Sequence, residues 1–177
     1  MPDNAKQKLI GSNRYSTPGI YVETVNHSGN SNQSTEEVEV VQRIINELLA
    51  NDIFYTDNNA IEKKLNSDCI KVITPYNAQV NALINALPGI QVGTVDKFQG
   101  QEAQVIIFSM ATSSPADAPR GMEFLYSLNR LNVAVSRART VFILVASAEL
   151  FEPDCRSPHQ MKLANALCRL IEKSSFN

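Results

Sequence analysis

An open α/β fold, with a mostly parallel sheet and helices on both faces, is what this sequence predicts. Three observations carry the prediction. Strand-like and helix-like segments alternate along nearly the whole length. Two continuous apolar runs, Val105-Ile-Ile-Phe-Ser-Met110 and Thr140-Val-Phe-Ile-Leu-Val-Ala146, have the character of strands covered on both faces. Elsewhere apolar residues recur at the spacing of helices that bury one side.

Each element follows in order. Residues 1–17 read as a flexible lead-in before a single domain spanning 18–177. Gly19-Ile-Tyr-Val-Glu-Thr-Val25 is β-branched and aromatic, so it is a strand. Ser34-Thr-Glu-Glu37 is a capping box, with Ser34 at the N-cap and Glu37 at N3. Val38, Val41, Ile45 and Leu48 continue it as one helix face, which should end near Asn51-Asp52. The polar stretch Thr56 to Asp68 reads as a solvated connection with at most a short helix. Cys69 to Ile73 is a strand, stopped by Thr74-Pro75 because proline cannot donate to a ladder. Tyr76, Val80, Leu83, Ile84 and Leu87 line the next helix, which Pro88-Gly89 breaks. Gln91-Val92 is a short strand before the loop Gly93 to Glu102, and the run from Val105 follows it. Leu128, Leu131, Val135 and Ala138 mark a helix, and Thr140 to Ala146 the last strand. Ser157-Pro158-x-Gln160 starts a closing helix with the apolar stripe Met161, Ala164, Cys168 and Ile171.

Composition narrows the function. The 177 residues carry a net charge of −2, with a hydrophobic fraction of 44% and a charged fraction of 19%. A free-standing nucleic-acid binder usually has a basic excess, so any groove offered here is completed by another domain. No apolar run reaches the ~18 residues of a membrane span. The first residues lack the apolar core of a signal peptide, and the three cysteines make an odd count, both of which favour the cytoplasm. Cys155, His159 and Cys168 fit no standard zinc spacing, so the cysteines read as small hydrophobes.

Two segments are dense in chemistry. Arg130-Leu-Asn-Val-Ala-Val-Ser-Arg137-Ala-Arg139 puts two arginines seven residues apart, two helical turns, on one side of a helix whose other side is apolar. About thirty residues earlier, Gly93-Thr-Val-Asp-Lys-Phe-Gln-Gly-Gln-Glu102 combines glycines for unusual backbone angles with polar groups for phosphate or ribose. A planar guanidinium suits a transferring phosphoryl group. The chain has no Gly-x-x-x-x-Gly-Lys-Ser/Thr loop to cradle the phosphates itself.

From about Gly19 to Glu172 the chain resembles the second RecA-like domain of superfamily 1 helicases of the 5′→3′ type. Val72-Ile-Thr-Pro-Tyr-Asn-Ala-Gln79 is similar to that family's motif IV, Gly93 to Glu102 to motif V, and Arg130 to Arg139 to motif VI. Arg120 to Arg130 and the tail from Glu152 to Leu170 resemble the C-terminal end of bacterial helicases fused to a RecB-like nuclease. The resemblance implies a RecA-like P-loop NTPase fold that lacks its own phosphate loop. ATP and Mg²⁺ would be held mainly by the first RecA-like domain, and none by this chain alone. Arg137 would be the arginine finger. Gly100, Gln101, Glu102 and Arg130 would complete the ATP side. Thr74, Pro75 and Thr94 would touch a single strand, DNA before RNA, and Gln99 would couple the two sites. Partners implied are that strand, the first RecA-like domain and a RecB-like nuclease domain, with no membrane. Many relatives carry an arginine near the start of the motif IV helix, where this chain has Asn77 and Val80. That departure supports a rival reading, a non-catalytic helicase-like module that docks a nuclease or another protein. A self-contained nucleotide-binding enzyme is disfavoured because no Gly-x-Gly-x-x-Gly turn follows a strand.

Overall fold

The computed structural model describes residues 7–12, 14–50, 52–57, 59–172 and 174. Five parallel strands form the main sheet. They are β2 (Gly19–Val25), β5 (Ile70–Ile73), β6 (Gln91–Gly93), β7 (Ala103–Ser109) and β8 (Ala138–Ser147), in the spatial order β2-β8-β7-β5-β6. Helices α1 (Thr35–Ala50) and α2 (Asn77–Ala86) cover one face. Helices α3 (Gly121–Leu125), α4 (Leu128–Arg137) and α5 (Pro158–Glu172) cover the other. This is the predicted α/β, RecA-like architecture.

The period of two along each strand sorts the core into two layers. Val141, Ile143 and Val145 of β8 meet Val41, Ile44 and Leu48 of α1. Phe142, Leu144 and Ala146 turn the other way, toward Leu131 and Ala134 of α4 and Leu167 of α5. All seven residues of β7 are buried, as the continuous apolar run predicted for a strand in mid-sheet. Ile84 and Met161, expected on buried helix faces, are instead exposed, and Leu167 takes the deeper place on α5. Val80 packs at the edge of the α1–α2 layer.

Two segments differ from the sequence expectation. Leu9–Ile10 (β1), Phe54–Thr56 (β3) and Glu62–Lys64 (β4) pair as a small antiparallel sheet in the order β1-β3-β4. The stretch after Thr56 is solvent-exposed as expected, but part of it is strand. Within the expected lead-in, Leu9 and Tyr15 lie in the core, and the Tyr15 hydroxyl donates to Glu23 at 2.8 Å. These strands are only two or three residues long, and β4 is fully exposed, so no periodicity announces them. Residues 1–6 of that lead-in lie outside the described residues.

The capping box at α1 forms by half. The Glu37 amide donates to Ser34 Oγ at 3.1 Å. Its carboxylate does not return to the Ser34 amide, which donates to Gln79 Oε1 at 2.9 Å. Instead Glu37 accepts from Ser109 Oγ at 2.6 Å and from the Ala111 amide at 2.9 Å, and contacts His27 Nε2 at 3.1 Å. His27 Nδ1 reaches Ser113 Oγ at 2.7 Å. This sealed polar network ties α1 and α2 to the carboxyl end of β7.

Candidate functional site at two edges of the sheet

The residues singled out by sequence fall at opposite ends of the strands. The parallel register decides this. Ala103 of β7 pairs with Ala138 of β8, so Glu102 and Arg137, which precede them, lie beside each other at the amino edge. Thr74, Pro75 and Thr94 follow β5 and β6 and lie at the carboxyl edge. At about 3.3 Å per residue, β7 alone separates the two edges by roughly 20 Å.

At the amino edge, Gly100 has φ +79°, a conformation that side chains disfavour, and nothing crowds the space a Cβ would take. The glycine thus serves the turn itself. Gln101 is exposed, and its Oε1 accepts from Lys71 Nζ at 2.7 Å. Lys71 is buried within β5, 5.1 Å from the Phe98 ring centroid, and burial holds its ammonium below the usual lysine range. This lysine was missed from the sequence. Its signal was there, as the one charge inside the apolar strand Cys69 to Ile73.

Glu102 pairs with Arg139, Nε to Oε2 at 2.9 Å, and both side chains are nearly half exposed. Arg137 is left over. It is half-buried, its Nε is shut away from solvent without a hydrogen-bond partner, and among the described residues it forms no ion pair. Its guanidinium is therefore half-buried and has no carboxylate partner among the described residues.

At the carboxyl edge, the Thr74 amide donates to the Gly93 carbonyl at 3.2 Å, joining the ends of β5 and β6. Thr74 Oγ1 is buried without a partner, while Pro75 and Thr94 are half-buried. Gln99 lies on the crossing between the two edges and is exposed. A cleft of about 490 Å³ opens beside Pro75 and Thr94 and includes Arg120, Phe124 and Arg130. Arg130 therefore does not join Arg137. Seven residues along a helix is about 10 Å of rise, and α4 runs from the carboxyl edge to the amino edge. The helical spacing put both arginines on one side of α4, as predicted, but at its opposite ends.

Among the described residues no three His, Cys, Asp or Glu side chains gather to hold a metal ion, and no helix is long and apolar enough to cross a membrane. Cys69, Cys155 and Cys168 are free and half-buried.

Residues 7–149, from β1 through the end of β8, match a family model described as AAA domain. This chain belongs to that AAA domain family. Similar proteins are helicases by name. "Helicase sen1" of Schizosaccharomyces pombe is 34% identical over 133 residues, covering 70% of this chain and 7% of the relative. "DNA replication ATP-dependent helicase/nuclease JHS1" of Arabidopsis thaliana is 30% identical over 131 residues, covering 73% of this chain and 9% of the relative. "Probable RNA helicase armi" of Drosophila melanogaster is 39% identical over 97 residues, covering 50% of this chain and 8% of the relative. The chain thus spans less than a tenth of the length of these relatives, and it is a superfamily 1 helicase-like domain.

Proposed function

We propose that this chain is the second RecA-like half of an ATP-dependent helicase or translocase of the 5′→3′ type, and that it supplies an arginine finger and part of a single-strand track. The unpaired Arg137 at the amino edge carries the reading. Glu102, beside it, is already engaged by Arg139, so Arg137 is kept from neutralisation within its own domain. ATP gripped by a partner RecA-like domain would bring the γ-phosphate to this edge. Arg137 then stabilises the charge that develops on the transferring group, while Gly100 and Gln101 shape the loop and Glu102 holds Arg139 aside. Pro75 and Thr94, half-buried at the far edge, face a strand whose backbone they contact without reading bases, whereas Thr74 is fully buried and only joins the ends of β5 and β6. Gln99, on the connecting segment, is placed to report one edge to the other. Mg²⁺ belongs to the partner domain in this scheme. Our reading takes DNA over RNA and adds a RecB-like nuclease domain as a further partner, in line with the helicase/nuclease name of the Arabidopsis relative.

The test is Arg137→Ala in a protein that joins this chain to its phosphate-binding half. Turnover of ATP should fall by about 10³–10⁵, the worth of an arginine finger, with nucleotide binding largely kept. Undiminished turnover would end the reading. The docking alternative draws on Val80, which stands packed where the motif IV resemblance implies an arginine. It requires that a variant lacking both Arg137 and Glu102 lose no activity of the parent protein and only partner capture matter.

A further inference from the structure

We infer that Arg120, Phe124 and Arg130 form a phosphate clamp for single-stranded nucleic acid, resting on the track reading above and extending it to residues outside Thr74, Pro75 and Thr94. The Arg130 guanidinium carbon lies 4.0 Å from the Phe124 ring centroid and that of Arg120 lies 4.8 Å away. One phenyl ring thus holds two cations within about 9 Å of each other. The Tyr76 ring backs Phe124 at 5.5 Å, which fixes the ring in place. A further bond from Arg130 to the Phe124 carbonyl, at 3.4 Å, anchors the second cation.

Two like charges held together need an anion, and the protein supplies little. Among the described residues neither arginine has an ion pair, and Asp96 is the one carboxylate lining the cleft. Phosphodiesters are the anions that arrive at this edge if a strand follows Pro75 and Thr94, which line the same cleft. ATP held against Arg137 is excluded as the occupant by distance, because the cleft opens at the other end of β5, β6 and α4. Guanidinium groups stacked on an aromatic ring keep their donor edges free for phosphate oxygens, and Phe124 limits the rotamers each must give up on binding.

The experiment titrates the isotope-labelled chain with an oligothymidylate of about eight nucleotides and reads amide shifts at low salt. Shifts should cluster at residues 76–78, 94–96 and 120–130. Arg120→Gln and Arg130→Gln should each weaken binding by about tenfold, and each should flatten the salt dependence by about 0.7 of a logarithmic slope, one phosphate contact apiece on a single strand. Arg120 is exposed, so its variant tests the clamp without disturbing the core. Equal affinity and slope in both variants would overturn the clamp even where the strand still binds. Absence of any shift with the oligonucleotide would overturn it too, while leaving the Arg137 turnover test to judge the motor reading. Equal shifts at these residues with ATP, at the same concentration, would make the cleft a nucleotide site and defeat the proposal.

Discussion

Arg137, Arg139 and Glu102 show what a single side chain decides at this edge. Two arginines two residues apart compete for one carboxylate, and the extended start of β8 gives it to Arg139. Under the proposed reading, the remaining arginine is the one that serves a ligand. Lys71 adds a charge whose state depends on its surroundings. Burial lowers its folded value beneath the ~10.4 of an unfolded lysine. Between those two values the unfolded chain holds more protons than the folded one, so stability rises with pH through that window and the burial cost is fully present only below it. Lys71→Met removes the titration. The urea midpoint of the unaltered chain should gain on that of the variant as pH rises toward the unfolded lysine value, and parallel curves would show that Lys71 does not feel its burial. At this scale the candidate residues were legible because motif order fixes their positions. Their partners were not, since pairing depends on which side chains the sheet edge brings within about 3 Å.

At the scale of elements, the start of α1 is the instructive case. Ser34 and Glu37 announced a helix N-terminus, and the helix begins there. The glutamate was nevertheless taken by His27, Ser109 and the Ala111 amide, groups from the loop after β2 and the end of β7. Ala111 sits at φ +65°, held in that unfavourable conformation while its amide points at Glu37. Glu37→Ala would orphan the Ala111 N–H and remove one partner each from Ser109 and His27 in a space closed to water. It should cost about 3–5 kcal/mol, read as a fall in the urea unfolding midpoint. A loss below about 1 kcal/mol would mean that the network contributes little to holding α1 on the sheet. The small sheet β1-β3-β4 was invisible for a related reason. Its strands are shorter than any detectable period, and β1 arrives from the far side of α1 in sequence.

Viewed whole, the molecule is a platform with two working edges joined by α4 and by the crossing from Thr94 to Glu102. A movement at the Arg137 end has a rigid ten-residue helix through which to reach the Arg130 end. In the proposed reading either edge is only part of a site. Calorimetry of the isolated chain with ATP and Mg²⁺ should therefore show no tight binding. A Kd below about 10 µM would mean that the chain grips nucleotide by itself, against the half-site account.

Sequence by itself determined the order of the main-sheet strands and of four of the five helices, the buried centre of the sheet and the segments where chemistry concentrates. Those follow from periodicity and from motifs, which are properties of a few neighbouring residues. Tertiary structure decided that the two arginines of α4 lie at opposite edges of the sheet, that Arg139 rather than Arg137 neutralises Glu102, and that Lys71 braces the Gly100 loop. Parallel pairing places the beginnings of distant strands together and their ends elsewhere, and only that arrangement brings charges from separate stretches of chain within reach of one another.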